Sequence, residues 1–162
     1  MQIRKKIGLT FLVAGLMGGI FSAQQVPQPD PSPDAHLVRV RTGSYAGMCM
    51  GWCDQETIIE PGSMRSVSRA FSEKKKYPEI KMNSSITKKD WNDLKSFLDA
   101  RMLAAFTGRI GCPGCVDERV EWVEVEFSDG TKKAVSYNKG SAPPQIAALL
   151  QKISGIGAKP AP

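Results

Sequence analysis

The sequence predicts an α+β domain of about five mostly antiparallel strands in hairpins, with two helices packed on one face. Three observations lead there. Apolar and polar residues alternate over positions 37–41 and again over 121–127, the period-2 sign of strands with one wet face. Pro61-Gly62 and Asp129-Gly130 each separate two such runs, and both dipeptides are turn chemistry. Trp91, Leu94, Leu98 and Met102, and later Ile146, Leu149, Leu150 and Ile153, recur at helical spacing. The composition, 41% hydrophobic and 23% charged, is globular and excludes a disordered or collagen-like chain.

Taken from the N-terminus, Arg4, Lys5 and Lys6 precede 15 uncharged, mostly apolar residues (IGLTFLVAGLMGGIF, 7–21), and Ser22-Ala23 follow. This order of charged, apolar and small residues marks a secretory signal peptide over residues 1–23. The expected location is therefore outside the cytoplasm, periplasmic or secreted. A spanning helix needs about 20 apolar residues; this run is shorter and holds Gly15, Gly18 and Gly19, so no membrane span is expected after cleavage. No cysteine follows the run, so no lipid anchor is expected. Removing Arg4, Lys5 and Lys6 lowers the cations from 22 to 19 against 16 acids, and the net charge from +6 to +3. Half of the basicity is thus targeting, and nucleic acid is not an expected partner.

Residues 24–36 carry Pro27, Pro29, Pro31 and Pro33, an alternation that favours extended polyproline conformation and suggests a semi-rigid spacer. The domain is expected over residues 37–153 and a flexible tail over 154–162. Within the domain, 37–41 forms the first strand, followed by a loop with Gly43, Gly47 and Gly51 that carries Cys49 and Cys53. Residues 56–60 and 64–71 pair across Pro61-Gly62. Thr87, with Asp90 three residues on, offers an N-cap for a helix over about 88–101, whose apolar stripe makes Trp91 a core anchor. A second loop, 108–115, carries Cys112 and Cys115. Residues 121–127 and 132–137 pair across Asp129-Gly130, and Pro143-Pro144 opens the last helix. Each half therefore reads as a cysteine loop, a hairpin and a helix, a weak internal repeat.

The cysteines are where chemistry concentrates. In Cys112-Pro113-Gly114-Cys115, proline and glycine occupy the central positions of a type II turn, which brings its ends within about 7 Å. Cys49 and Cys53 are separated by three residues including Gly51, a spacing that lets them converge in a loop. Three arrangements fit. Export favours disulfides. A five-residue loop such as 49–53 gains about 2 kcal/mol from closure, and a 64-residue loop such as 49–112 about 4, so a pairing selected for stability would join the two halves. Four thiolates from two turn-borne pairs would instead suit zinc, the cofactor of this alternative; Met48 and Met50 beside Cys49 would suit a softer ion such as Cu(I). A thiol-redox pair at Cys112 and Cys115 normally opens a helix, whereas a strand follows here.

The remaining inventory argues against an enzyme. His36, the one histidine, precedes the domain, so no histidine-dependent triad or histidine metal site lies within it. Asp117, Glu118, Glu121, Glu124 and Glu126 read as a solvated strand face rather than a catalytic carboxylate pair, and Asp54 and Asp117 as loop hydrogen bonders. Lys74, Lys75, Lys76, Lys81, Lys88 and Lys89 surround one helix entry, a solvated face able to meet anionic envelope surfaces. Trp52 and Trp122 are the candidate partner-binding aromatics. No phosphate loop, nucleotide fingerprint or nucleophile elbow is present.

The segments Cys49-Met50-Gly51-Trp52-Cys53-Asp54, Gly111-Cys112-Pro113-Gly114-Cys115-Val116-Asp117 and Glu121-Trp122-Val123-Glu124-Val125 together resemble a family of small exported bacterial proteins that has no assigned activity. The resemblance covers residues 43–153. It implies export and a shared fold and transfers no catalytic residue; Gly114 and Asp117-Glu118-Arg119 depart from the commoner family pattern. The expected function is that of an exported, non-enzymatic module without a cofactor, cross-linked by cysteines, that binds a protein or envelope partner. The alternative is a metal-binding or thiol-redox protein using Cys49, Cys53, Cys112 and Cys115.

Overall fold

A computed structural model describes residues 28–115 and 117–157. The predicted signal peptide, residues 1–23, lies outside the described residues, as do 24–27 and 158–162. In chain order the elements are β1 (Leu37–Tyr45), β2 (Trp52–Glu60), β3 (Ser63–Ala70), β4 (Ile80–Ser85), α1 (Lys88–Phe97), α2 (Ala100–Leu103), β5 (Gly108–Arg109), β6 (Val120–Phe127), β7 (Lys132–Asn138) and α3 (Pro144–Gly157). The strands form one sheet in the order β4-β3-β2-β1-β6-β7-β5. All pairings are antiparallel except β5 with β7.

This corrects the expected five strands and two helices. The described residues hold a mixed seven-stranded sheet and three helices. The five predicted strands are β1, β2, β3, β6 and β7. The two that were missed lie at the sheet edges. β4 is exposed at every residue, so it carries no alternation of buried and wet positions and leaves no period-2 signal. β5 is two residues long, too short for any periodicity. The predicted helix over 88–101 is two helices. Leu98 leaves the helical region with ψ of 56°, and Asp99 then caps α2 by accepting from the Met102 amide at 2.8 Å. An aspartate able to bond the backbone locally competes with helix continuation. The apolar stripe survives the break, because Trp91, Leu94, Leu98 and Met102 are all buried.

Local chemistry accounts for the element ends. Gly62 and Gly130, each second in its hairpin turn, hold φ of 85° and 82°. The Asp129 carboxylate accepts from the Thr131 amide at 2.9 Å. Thr87 caps α1, its hydroxyl accepting from the Asp90 amide at 3.0 Å and donating to the Asp90 carboxylate at 2.7 Å.

The register sorts side chains into rows that cross the sheet. On the face that meets the helices, Val40 stands opposite Ile59 and Val125. One step along, Thr42 stands opposite Thr57 and Val123; beyond it, Ser44 stands opposite Gln55 and Glu121. The first row is apolar and lies in the core with Trp91 and Leu94 of α1 and Ile146 and Leu149 of α3. Val40, Ile59, Leu94, Ile146 and Leu149 have no exposed surface, and burying each contributes roughly 2 kcal/mol. The other face carries charge. Arg39 bridges Glu60 and Glu126 at 2.7 and 2.8 Å, and Arg41 bridges Glu56 and Glu124 at 2.5 and 3.0 Å.

Both ends of the domain extend past the predicted limits of 37 and 153. Residues 28–36 of the proline-rich stretch lie against the hairpin of β6 and β7. The Gln28 side-chain amide donates to the Ala134 carbonyl at 2.8 Å and accepts from the Ala134 amide at 2.5 Å, acting as a one-residue strand on β7. Asp30 reaches the buried ammonium of Lys133 at 2.6 Å, which supplies the partner that a buried cation requires. The Ser32 amide donates to Asp129 at 2.8 Å. At the other end, α3 continues to Gly157 because Ile156 still packs in the core.

The Ser32 and Thr131 amides hold the Asp129 carboxyl down at about 2. A depressed folded value means that this contact is complete above the unfolded value of about 3.9 and is lost as pH falls through the folded one. Asp129→Ala is therefore expected to lower the protection of the Ser32 amide, its exchange relative to that of an unfolded chain at the same pH, and acid between about pH 4 and 2 to do the same in the parent protein. Amides of β1 and β6 stay protected. Unchanged exchange at Ser32 in the variant would show that Asp129 does not tether the segment.

Candidate functional site

Both cysteine loops sit at one end of the sheet. The first joins β1 to β2, and the second leads from β5 into β6, whose first residue, Val120, stands opposite Tyr45 at the end of β1. Cys49 and Cys53 stand within disulfide distance with Cα atoms 5.7 Å apart, and Cys112 and Cys115 likewise at 5.4 Å. Each pair closes its own loop, so neither joins the two halves of the chain. Backbone geometry favours this outcome. Gly51 and Gly114 hold φ of 93° and 79°, values open to glycine at little cost. The Cys115 amide donates to the Cys112 carbonyl at 3.1 Å, and the Ala46 amide to the Cys53 carbonyl at 3.0 Å. Backbone turns and the local sulfur pairs therefore close the same two loops, and the long-range pairing that loop entropy favours is not the one present.

A four-cysteine zinc site needs all four sulfurs in one shell. The described residues contain no group of three or more histidine, cysteine, aspartate or glutamate side chains placed to hold an ion. The cysteines are paired, two by two, instead. Cys112 and Cys115 lie in the connection between two strands, not at the helix N-terminus where a thiol-redox pair normally sits.

Large apolar side chains are exposed around the first loop. Met50 and Met48 are 87% and 76% exposed, and Tyr45 and Phe71 about half. Met48 and Met50 flank Cys49 in the short loop between β1 and β2. Lys74, Lys75 and Lys76 follow Phe71 in an exposed turn. Between them, Asp54, Arg69, Phe71, Lys74, Tyr77 and Glu79 line a hollow of about 300 Å³.

The two tryptophans singled out from the sequence lie in different settings. Trp52 opens β2, donates its indole N–H to the Pro78 carbonyl at 2.8 Å, and meets Tyr77 edge-on at 5.4 Å. It pins the lysine turn to the first cysteine loop. Trp122 lies on the charged sheet face with the Arg41 guanidinium 5.4 Å from its ring centre and the bare Cα of Gly43 beneath it. Both are half-buried, and both are committed to contacts within the chain. The acidic strand residues are similarly engaged: Glu124 and Glu126 bind Arg41 and Arg39, and Lys132 lies 3.7 Å from each. Asp54 binds Arg69 at 3.1 Å.

Sequence reasoning passed over the small polar residues of the helix-facing side. Thr42, Ser44, Gln55, Thr57, Ser66 and Ser68 line a cleft of about 400 Å³ where the helices no longer cover the sheet. A serine or threonine on a strand reads as a wet position. The signal that could have found them is the recurrence of small polar residues two positions apart on three strands: Thr42 and Ser44 on β1, Gln55 and Thr57 on β2, and Ser66 and Ser68 on β3.

No protein-family model and no curated protein matches the chain, so the likeness to a family of small exported proteins rests on the quoted motifs alone.

Proposed function

We propose that this protein is an exported, non-enzymatic binding module, cross-linked within its two cysteine loops, that engages a protein partner through the loop end of its sheet. The observation that carries this reading is the concentration of Met48, Met50, Tyr45 and Phe71, exposed together around a short closed loop. Exposed apolar groups of this size are characteristic of contact surfaces, and methionine adapts its shape to a partner. Lys74, Lys75 and Lys76 beside them favour a partner with an acidic rim. The disulfides support the same reading, because closing a small loop holds its side chains outward and lowers the ordering cost of binding. The signal sequence in residues 1–23 supports export.

The test is site-specific photo-crosslinking in the native host, with the reactive group at position 50 and a control at Ser154 on α3. A single discrete adduct from position 50, absent from Ser154, is expected. Met48→Asp should weaken it on the order of tenfold. Adducts no different from those of the control would overturn the assignment of this surface. Intact mass of the exported protein tests the cross-links: two disulfides lower it by about four hydrogens and leave no thiols to alkylate. One bound zinc with four alkylatable thiols on denaturation would establish the metal reading in its place.

A further inference from the structure

The two edges of the sheet are finished differently. At one edge β5 is two residues long, and the Gln28 side chain holds the backbone groups of Ala134 on β7 beside it. At the other edge β4 is six residues long, exposed throughout, and pairs with β3 in an unbroken register. The Ile86 amide donates to the Gly62 carbonyl at 3.4 Å, which sets the phase of that ladder. Ser84, Met82 and Ile80 therefore turn their backbone groups towards β3, and Lys81, Asn83 and Ser85 turn theirs outward. Among the described residues nothing pairs with these outward groups.

Natural sheets protect such an edge with a proline, a bulge or an exposed charge. β4 has no proline and no bulge. Its one charge, on Lys81, lies 2.7 Å from the Glu79 carboxylate and is offset there. Ile80 and Met82, 40% and 62% exposed, stand on the helix-bearing face opposite Ser68 and Ser66. A strand laid along β4 would pair the outward amides and cover both side chains. The sequence of β4 favours another β4 as that strand. With a two-fold axis at Met82, Lys81 stands opposite Asn83 of the other copy, and each such pair exchanges two backbone hydrogen bonds. Met82 meets its own copy across the axis with Ile80 diagonal to it, so Ile80 and Met82 of both copies gather into one apolar seam. An axis at Lys81 would oppose the two lysines, which is destabilising, and an axis at Asn83 would set Met82 against Ser84 and disperse the seam.

We infer that this chain forms a symmetric dimer by antiparallel pairing of β4 with β4 of a second copy, centred on Met82. The axis runs perpendicular to the sheet, so the helices of both copies share one face and the two loop ends point in opposite directions. One strand pair makes a small interface, and assemblies of that size are weak, with a Kd expected on the order of 100 μM. The inference is independent of partner contact at the loop end, which leaves this edge free.

Sedimentation of the disulfide-intact protein from about 5 to about 500 μM tests it. The weight-average mass is expected to rise from that of the monomer towards twice that value, and hydrogen exchange at the Lys81 and Asn83 amides to slow over the same range. Asn83→Pro removes one outward amide, leaves the ladder to β3 intact, and should raise the concentration of half-dimerisation at least about tenfold. Met82→Asp sets two carboxylates face to face and should do the same without constraining the backbone. A monomer at every concentration, or equal dimerisation of the parent and Met82→Asp, would overturn the inference. A photo-reactive group at position 82 in the native host should give an adduct of twice the chain mass. Adducts of other masses alone would also overturn it and assign this edge to a different protein.

Discussion

Gly43→Ala is expected to destabilise the domain by roughly 3 kcal/mol or more. Gly43 lies in β1, the central strand, on the charged face. A Cβ there would meet the backbone oxygen of Gln55 on one side and two ring atoms of Trp122 at 2.7 and 2.9 Å on the other. Neither neighbour has room to give. The Gln55 oxygen belongs to the ladder of β1 and β2, and the indole is held between the Arg41 guanidinium and the sheet. The glycine lets an aromatic ring lie flat across the middle of the sheet, the cross-strand arrangement that rescues a strand glycine. Urea unfolding measures the effect. Gly47→Ala is the control, because nothing lies within 4 Å of a Cβ at that position, and it should change stability by less than about 0.5 kcal/mol. Equal unfolding midpoints for the two variants would show that the close approach at Gly43 does not exist.

The second large effect is expected from Glu56→Ala, about 2 kcal/mol. Removing one partner of a buried ion pair costs on the order of 3 kcal/mol or more, and this value is reduced because the partner arginines are partly solvated. The Glu56 side chain is 9% exposed and lies between Arg41 at 2.5 Å and Arg69 at 3.2 Å, which are 32% and 39% exposed. Without Glu56, the two guanidiniums share one shielded patch, with Glu124 left to Arg41 and with Asp54 and Glu79 to Arg69. Burial alone would push the Glu56 carboxyl up, but the hydrogen bonds and charges of Arg41 and Arg69 outweigh it and hold the group below its ordinary range. The stabilisation is therefore complete above the unfolded value of about 4.3 and is lost as pH falls through the lower folded value. The gap in stability between the parent and Glu56→Gln should stay constant from pH 7 to about 5 and narrow below about pH 4. A gap that widens in acid would reverse the assigned sign.

These two residues also show how legibility divides. Glu56 is readable as a strand acid, but its burial is not, because nothing local marks it as lying between two arginines from neighbouring strands. Gly43 reads as a loop glycine, yet it lies inside β1, which extends to Tyr45. The predicted first strand stops at Arg41 because alternation ends there: Thr42, Gly43 and Ser44 are polar or small on both faces. The candidate site divides in the same way. Cys49, Cys53, Cys112 and Cys115 were visible as two turn-borne pairs. Their partners were not, since loop entropy favours the long-range bridge while the structure pairs the cysteines locally.

Local periodicity and turn chemistry encode part of this fold. The five inner strands, their two hairpin turns, the N-cap at Thr87 and the buried stripes of the helices all depend on residues within a few positions of one another. The tertiary structure alone decided the rest. β4 and β5 exist as strands because a neighbour offers them a ladder, not because their own side chains alternate. Gln28, Asp30 and Ser32 become part of the fold because β7 presents an open edge, a buried ammonium and a hairpin carboxylate. The hydroxyl-lined cleft exists because register aligns small polar residues from three strands at the point where the helices end. Each of these is a relation between segments far apart in the chain, and no window of sequence contains both of its sides.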